Sequence, residues 1–154
     1  LGKGPSSLVD IGFSGAKIAP HRVVQLGLRE LDPDEKRRIL ESDITAYSME
    51  DIDRRGLPEV VEEALEKVLT DCDHLHVSFD IDVIDPRFAP GTGTARQGGL
   101  TYREAHLAME MVARTRAVRS FELVEVNPVL DEGNRTAEVG VGIIASALGK
   151  SILD

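Results

Sequence analysis

Strand-like and helix-like segments alternate along most of this chain, and that alternation narrows the possible folds more than any other feature. Residues 23–28 (Val23-Val24-Gln25-Leu26-Gly27-Leu28) are a run long enough and sufficiently β-branched for a buried strand. Pro33 suits the first turn of a helix, and residues 35–42 continue it as a charged, exposed segment. Residues 44–47 read as a short strand. Pro58 opens the next helix, where Val61, Ala64, Leu65, Val68 and Leu69 recur at helical spacing and Glu62, Glu63, Glu66 and Lys67 cover the other side. A strand over 74–81 leads into a Gly/Pro-rich loop over 82–99. Thr101 and Glu104 have capping-box spacing, and Ala105, Ala108, Met109, Val112 and Ala113 give the following helix its buried stripe. Residues 118–126 are a further strand, and a largely apolar helix starts at Arg135 or Thr136 and ends near Gly149. This order predicts an α/β fold: a parallel sheet with helices on both faces, reached by right-handed crossovers. Residues 1–20, rich in Gly, Pro and Ser, are expected to be loop with at most a turn near residues 8–11. The first strand therefore comes late, and a sheet of so few strands leaves an edge for something to cover.

The bulk properties exclude several classes of partner. A chain of 154 residues can bury a real core as one domain. A net charge of −9 argues against nucleic acid or an anionic membrane surface. The longest nearly apolar stretch, residues 139–148, is too short and too interrupted by glycine to span a bilayer. A single cysteine, Cys72, rules out an internal disulfide and fits a reducing, cytoplasmic setting.

Ligands of parallel α/β sheets bind beyond the carboxyl ends of the strands, and acidic residues fall there in this sequence. Asp32 lies past the first strand, Asp80 and Asp82 end the 74–81 strand, and Glu125 ends the 118–126 strand. Converging carboxylates raise one another's pKa, a cost that a divalent cation or a cationic substrate removes. If the strand stays extended, Asp80 and Asp82 project from one face, as two ligands of a hard cation do. The plainer alternative is that Asp80 caps a turn while Asp82 bonds turn amides. Likewise Asp32 is either a ligand-binding residue or a helix N-terminal acid stabilised by the dipole.

The segment Ser78-Phe79-Asp80-Ile81-Asp82-Val83-Ile84-Asp85-Pro86, with Ala89-Pro90-Gly91-Thr92-Gly93-Thr94 and Gly98-Gly99-Leu100-Thr101-Tyr102-Arg103-Glu104, resembles the arginase/agmatinase ureohydrolase family. Gly27-Leu28-Arg29-Glu30-Leu31-Asp32-Pro33 is similar to that family's substrate-proximal loop. Glu125-Val126-Asn127-Pro128, then Leu130-Asp131 and Asn134-Arg135-Thr136-Ala137, resembles the arginase form of its last strand and helix. The resemblance covers essentially the whole chain and corresponds to the family's carboxyl-terminal half. It implies an incomplete arginase-like three-layer α/β sandwich over residues 1–154, and manganese-dependent hydrolysis of the arginine guanidinium to ornithine and urea. It implies Asp80 and Asp82 as ligands of a binuclear Mn²⁺ site and Glu125 as the catalytic-site carboxylate that pairs with the guanidinium. Thr94 would lie beside that group, and Asp32, with Glu35, would bind the α-amino group. Arginine as the small-molecule partner and assembly into trimers or hexamers follow from the same resemblance.

The family's first-half motifs, a lone metal-binding His, an Asp-x-His-x-Asp cluster and a His-Gly proton-shuttle loop, have no counterpart here. The histidines are His21, His74, His76 and His106, and none sits in such a cluster; His76 and His106 read as structural, His76 in the core or next to the site. Together with a start at Leu1 rather than Met, this leads to the expectation of a fragment that is inactive by itself. Ala95-Arg96-Gln97 departs from the family's usual Pro and small apolar residues and is expected to change the loop's rigidity. An agmatinase remains the alternative within the family, a non-catalytic assembly module the alternative outside catalysis. A phosphatase-type Asp-x-Asp fits poorly, because Ile84 stands at the wrong offset and no phosphate loop is visible.

Overall fold

Capping residues start three of the longer helices in the computed structural model, which describes residues 1–153. After a single turn, α1 (Ser6–Val9), and a 3₁₀ turn at Pro20–Arg22, the order is β1 (Val24–Leu28), α2 (Pro33–Leu40), β2 (Thr45–Ser48), α3 (Met49–Arg55) and α4 (Leu57–Leu69). Then come β3 (Leu75–Asp80), a 3₁₀ turn at Ile81–Val83, α5 (Tyr102–Arg114), β4 (Val118–Val124) and α6 (Arg135–Ala147). Residues 1–19 are largely irregular, as their composition predicts.

Reciprocal capping boxes open α2 at Asp32/Glu35, α3 at Ser48/Asp51 and α5 at Thr101/Glu104. Helix α3 is an element that the pattern of apolar residues does not announce. It has two turns, a single buried residue, Ile52, and an end at Gly56, whose φ of +86° then admits α4. Helix α4 buries Leu57, Val60, Val61 and Ala64, and α5 buries Ala105, His106, Ala108, Met109 and Val112. Helix α3 packs on β1 and β2, α4 packs on β1 and on α5, and α5 on α6. Val60, Ile81, Ile84 and Ile143 are sealed from solvent at the centre.

The strands pair in parallel, as the alternation predicts, but in two pairs, β1 with β2 and β3 with β4. A single four-stranded ladder does not form among the described residues. Where the pairs approach, the neighbour of β1 is a side chain rather than a strand backbone. Gly27, at φ +81°, shifts the β1 register between Leu26 and Leu28, and a Cβ there would lie 2.5 Å from Val83 Cγ2. On β3–β4, Val77, Phe79, Phe121 and Leu123 lie on the inner face, and Leu123 meets Gly140 of α6. His76, Ser78, Ser120 and Glu122 form the outer face and are exposed. His76, expected in the core or next to the site, is thus an exposed surface residue, and its Nδ1 lies 2.8 Å from Ser120 Oγ.

Candidate active site

The carboxyl ends of β3 and β4 bring three acidic side chains together. Asp80 is the last residue of β3 and half-buried. The chain does not stay extended beyond it: the 3₁₀ turn at Ile81–Val83 begins at once, so the strand-parity argument fails at Asp82. Instead Asp80 caps that turn, accepting the Asp82 N–H at 3.0 Å. Asp82 in turn accepts the Thr94 hydroxyl at 2.5 Å. Glu125 follows β4 in a left-handed backbone conformation, φ +64°, which costs a non-glycine residue of order 1 kcal/mol. Burial, and then the negative charges of Asp82 and Glu125, push the Asp80 carboxyl above the ordinary range, partly offset by the Asp82 amide. Among the described residues none of the three carboxylates is in an ion pair. The cluster is a site of unbalanced negative charge.

A long loop folds over this cluster and is held at its base by Asp85, whose side chain is 3% exposed. Asp85 accepts the Arg87 N–H, the Arg87 guanidinium and the Gly98 N–H at 2.8–3.0 Å. The Arg87 side chain and these amides hold its pKa at about 2. Backbone bonds from Asp85 to Leu100 and from Leu100 to Val83 close the neck, and Gly99 passes so near Val83 O that a Cβ would sit 2.5 Å away.

Arg29, just past β1, connects the strand pairs. Its guanidinium donates to the Asp82 carbonyl and, at 3.0 and 3.3 Å, to the Arg96 carbonyl. The Arg96 side chain reaches back to Glu30 at 2.5 Å. The unusual Ala95-Arg96-Gln97 stretch therefore tethers the loop to the β1 end. Asp32 and Glu35 stand apart from the cluster, exposed, with Asp32 accepting the Asp34 and Glu35 amides at 2.8 Å. Sequence reasoning assigns Arg29, Asp85 and Thr136 no role of their own, although the Asp85-Pro86 turn was a signal; Arg96 stood out only as part of the departure at Ala95-Arg96-Gln97.

Carboxylates of this kind suit a hard divalent cation. Among the described residues, however, no group of three or more His, Cys, Asp or Glu is placed to hold a metal ion. Among the described residues no helix is long and apolar enough to cross a membrane.

The arginase family, compared as a family model, matches residues 11–149. The arginase of Bacillus caldovelox is 46% identical over 153 residues, covering 99% of this chain and 51% of that protein. Its crystal structure superposes with a TM-score of 0.96 over 99% of this chain and 51% of that chain. The Entamoeba histolytica arginase in complex with L-ornithine is 33% identical, with a TM-score of 0.87 over 97% of this chain and 49% of that one. The chain spans about half the length of the curated relatives it matches. A family match over most of the chain, with the same fold at 46% identity, accounts for the strand-end carboxylates and their tethered loop: this chain belongs to the arginase family.

Proposed function

We propose that this chain carries the carboxylate rim of an arginase-type ureohydrolase, which hydrolyses the guanidinium of L-arginine to urea and L-ornithine. The observation that carries the reading is the cluster of Asp80, Asp82 and Glu125, unbalanced by any ion pair among the described residues and closed on one side by Thr94. Glu125 is the partner for the planar guanidinium, because a carboxylate accepts two parallel N–H bonds from it. Thr94 flanks the same group with its hydroxyl. Asp32, with Glu35, is the acidic partner for the substrate's α-amino group. The relative crystallised with L-ornithine, an amino acid, supports arginine over its decarboxylated analogue agmatine.

Asp80 and Asp82 are the residues that would ligate manganese, the ion the resemblance implies. A divalent ion there would supply Lewis-acid activation of water near neutral pH. Because two carboxylates leave the coordination shell incomplete among the described residues, the chain by itself is expected to be inactive, with the remaining ligands supplied by an amino-terminal half. The apolar side chains of Leu8, Ile11, Phe13, Val141 and Leu148, all more than half exposed, are surface for such a complement or for trimer or hexamer contacts. Cys72, unpaired, is compatible with a cytoplasmic setting.

The test is urea release from arginine and from agmatine with added Mn²⁺, using this chain alone and then mixed with the amino-terminal half of an arginase. Activity in the mixture, on arginine, is the expected result. Urea from the chain alone overturns the claim of an incomplete site, preference for agmatine points to an agmatinase, and silence in both arms points to a non-catalytic module.

A further inference from the structure

The groups that hold the loop bearing Thr94 lie outside the carboxylate cluster, at the start of α6. Gly91 donates its N–H to the Thr136 hydroxyl at 2.7 Å in the protein interior, and its carbonyl accepts the Asn127 N–H at 2.8 Å. Thr136 is entirely buried. In the first turn of α6 the amides of Thr136 and Ala137 are satisfied by the Asp131 carboxylate at 2.9–3.2 Å. The Thr136 hydroxyl joins this carboxylate to the loop: it hydrogen-bonds the Asp131 carboxylate, and its oxygen accepts the loop's Gly91 N–H. Gly91 packs so closely on Asp131 that a Cβ would stand 2.5 Å from the Asp131 Cβ. Gly91 thus joins three segments: the loop leading to Thr94, the α6 terminus, and the stretch two residues beyond Glu125.

We propose that Thr136 is a positioning residue for the guanidinium site. By accepting the Gly91 N–H it fixes where Thr94 stands relative to Glu125, the two groups on either side of a planar cation. The identity of that cation rests on the function proposed above; the clamp itself does not.

Thr136→Val keeps the shape of the side chain and removes the hydroxyl, with its bonds to Gly91 and Asp131, whereas Thr136→Ser keeps the hydroxyl and removes a methyl. In amide exchange of the chain, Thr136→Val is expected to speed the Gly91 N–H about tenfold, with Ile143 in α6 changed by less than about threefold. Thr136→Ser is expected to stay near wild type. In the mixture with an amino-terminal half, Thr136→Val is expected to raise the arginine KM about tenfold with kcat little changed, and Thr136→Ser to restore it. Unchanged Gly91 exchange in Thr136→Val, or a Ser variant no better than Val, overturns the proposal. If Thr136→Val does not fold, the wild-type chain decides: the Gly91 N–H is expected to be as protected as the α6 interior, and fast exchange there sinks the clamp. A wild-type mixture that releases no urea defeats the functional reading alone, since the exchange result stands independently.

Discussion

Thr94 donates its hydroxyl to the Asp82 carboxylate at 2.5 Å, across a separation of 12 residues, and so pins the outer loop to the end of β3. A hydrogen bond to a charged group contributes about 1.5–3 kcal/mol. Thr94→Val is therefore expected to lower kcat/KM for arginine, in the mixture with an amino-terminal half, by between about tenfold and a hundredfold. Thr94→Ser retains the donor and is expected to recover most of the loss. Equal losses in the two variants would show that the methyl, not the hydroxyl, matters.

Glu125 sits in a left-handed conformation, with its charge felt by Asp80. Strain at a strand end is tolerated where the side chain has a task that fixes its direction. If that task is pairing with a guanidinium, Glu125→Gln keeps the shape and removes the charge. The expected cost is about 3 kcal/mol, roughly two orders of magnitude in kcat/KM for arginine. The melting temperature of the chain should change little, because the carboxylate is exposed and makes no ion pair among the described residues. Wild-type kinetics in the Gln variant would remove Glu125 from the site.

Asp85 supports the loop from below, and its effect is readable in pH. Its pKa of about 2 in the folded chain lies beneath the ordinary carboxylate value, so the unfolded chain binds the proton more readily. The stabilisation is then complete above about pH 4 and is lost as pH falls through 2. Asp85→Asn leaves an amide facing the Gly98 and Arg87 donors and is expected to cost about 2 kcal/mol at pH 7. Thermal melts at pH 7 and pH 3 should show the gap between wild type and variant narrowing in acid. A constant gap would mean that charge plays no part at this position.

The local elements were legible in the sequence because their signals are local. Thr101 with Glu104, and Pro33 after Asp32, announce helices within a few residues, and the structure starts α2 and α5 there. Helix α3 escaped because its cap uses Asp51 where the familiar box has Glu or Gln, and it buries a single residue. Pairing of β1–β2 apart from β3–β4 was not legible, since ladder partners are chosen by tertiary contacts. The motif pointed to Asp80, Asp82, Thr94 and Glu125, and the structure brings these four together at the β3 and β4 ends. It did not point to Arg29 or Thr136, whose bonds to Asp82 and Gly91 span 53 and 45 residues. No periodicity or capping rule reaches that far. Asp82 leaves the strand's alternation for a local reason: the 3₁₀ turn starts at Ile81, so the extended strand ends one residue before it was expected to.

His106 adds a dependence on pH at the α5–α6 contact. Its Nδ1 lies 2.8 Å from Ser146 Oγ, its Nε2 is buried without a hydrogen-bond partner among the described residues, and Gly142 gives it room, since a Cβ there would come within 3.2 Å of the ring. The Tyr102 ring lies 4.3 Å away between centroids. Burial, then Arg103, with a smaller effect of Lys150, disfavours the imidazolium, while Glu110 favours it; the net effect lowers the pKa below 6.5. The unfolded chain therefore takes up a proton on His106 before the folded chain does, and stability falls as pH drops below about 6.5. Melting temperatures measured between pH 7.5 and 5.5 should decline in the wild type. His106→Gln, which does not titrate, is expected to be less stable at pH 7.5 and to show a flatter profile over the same range. An equally steep decline in His106→Gln would place the titrating group elsewhere.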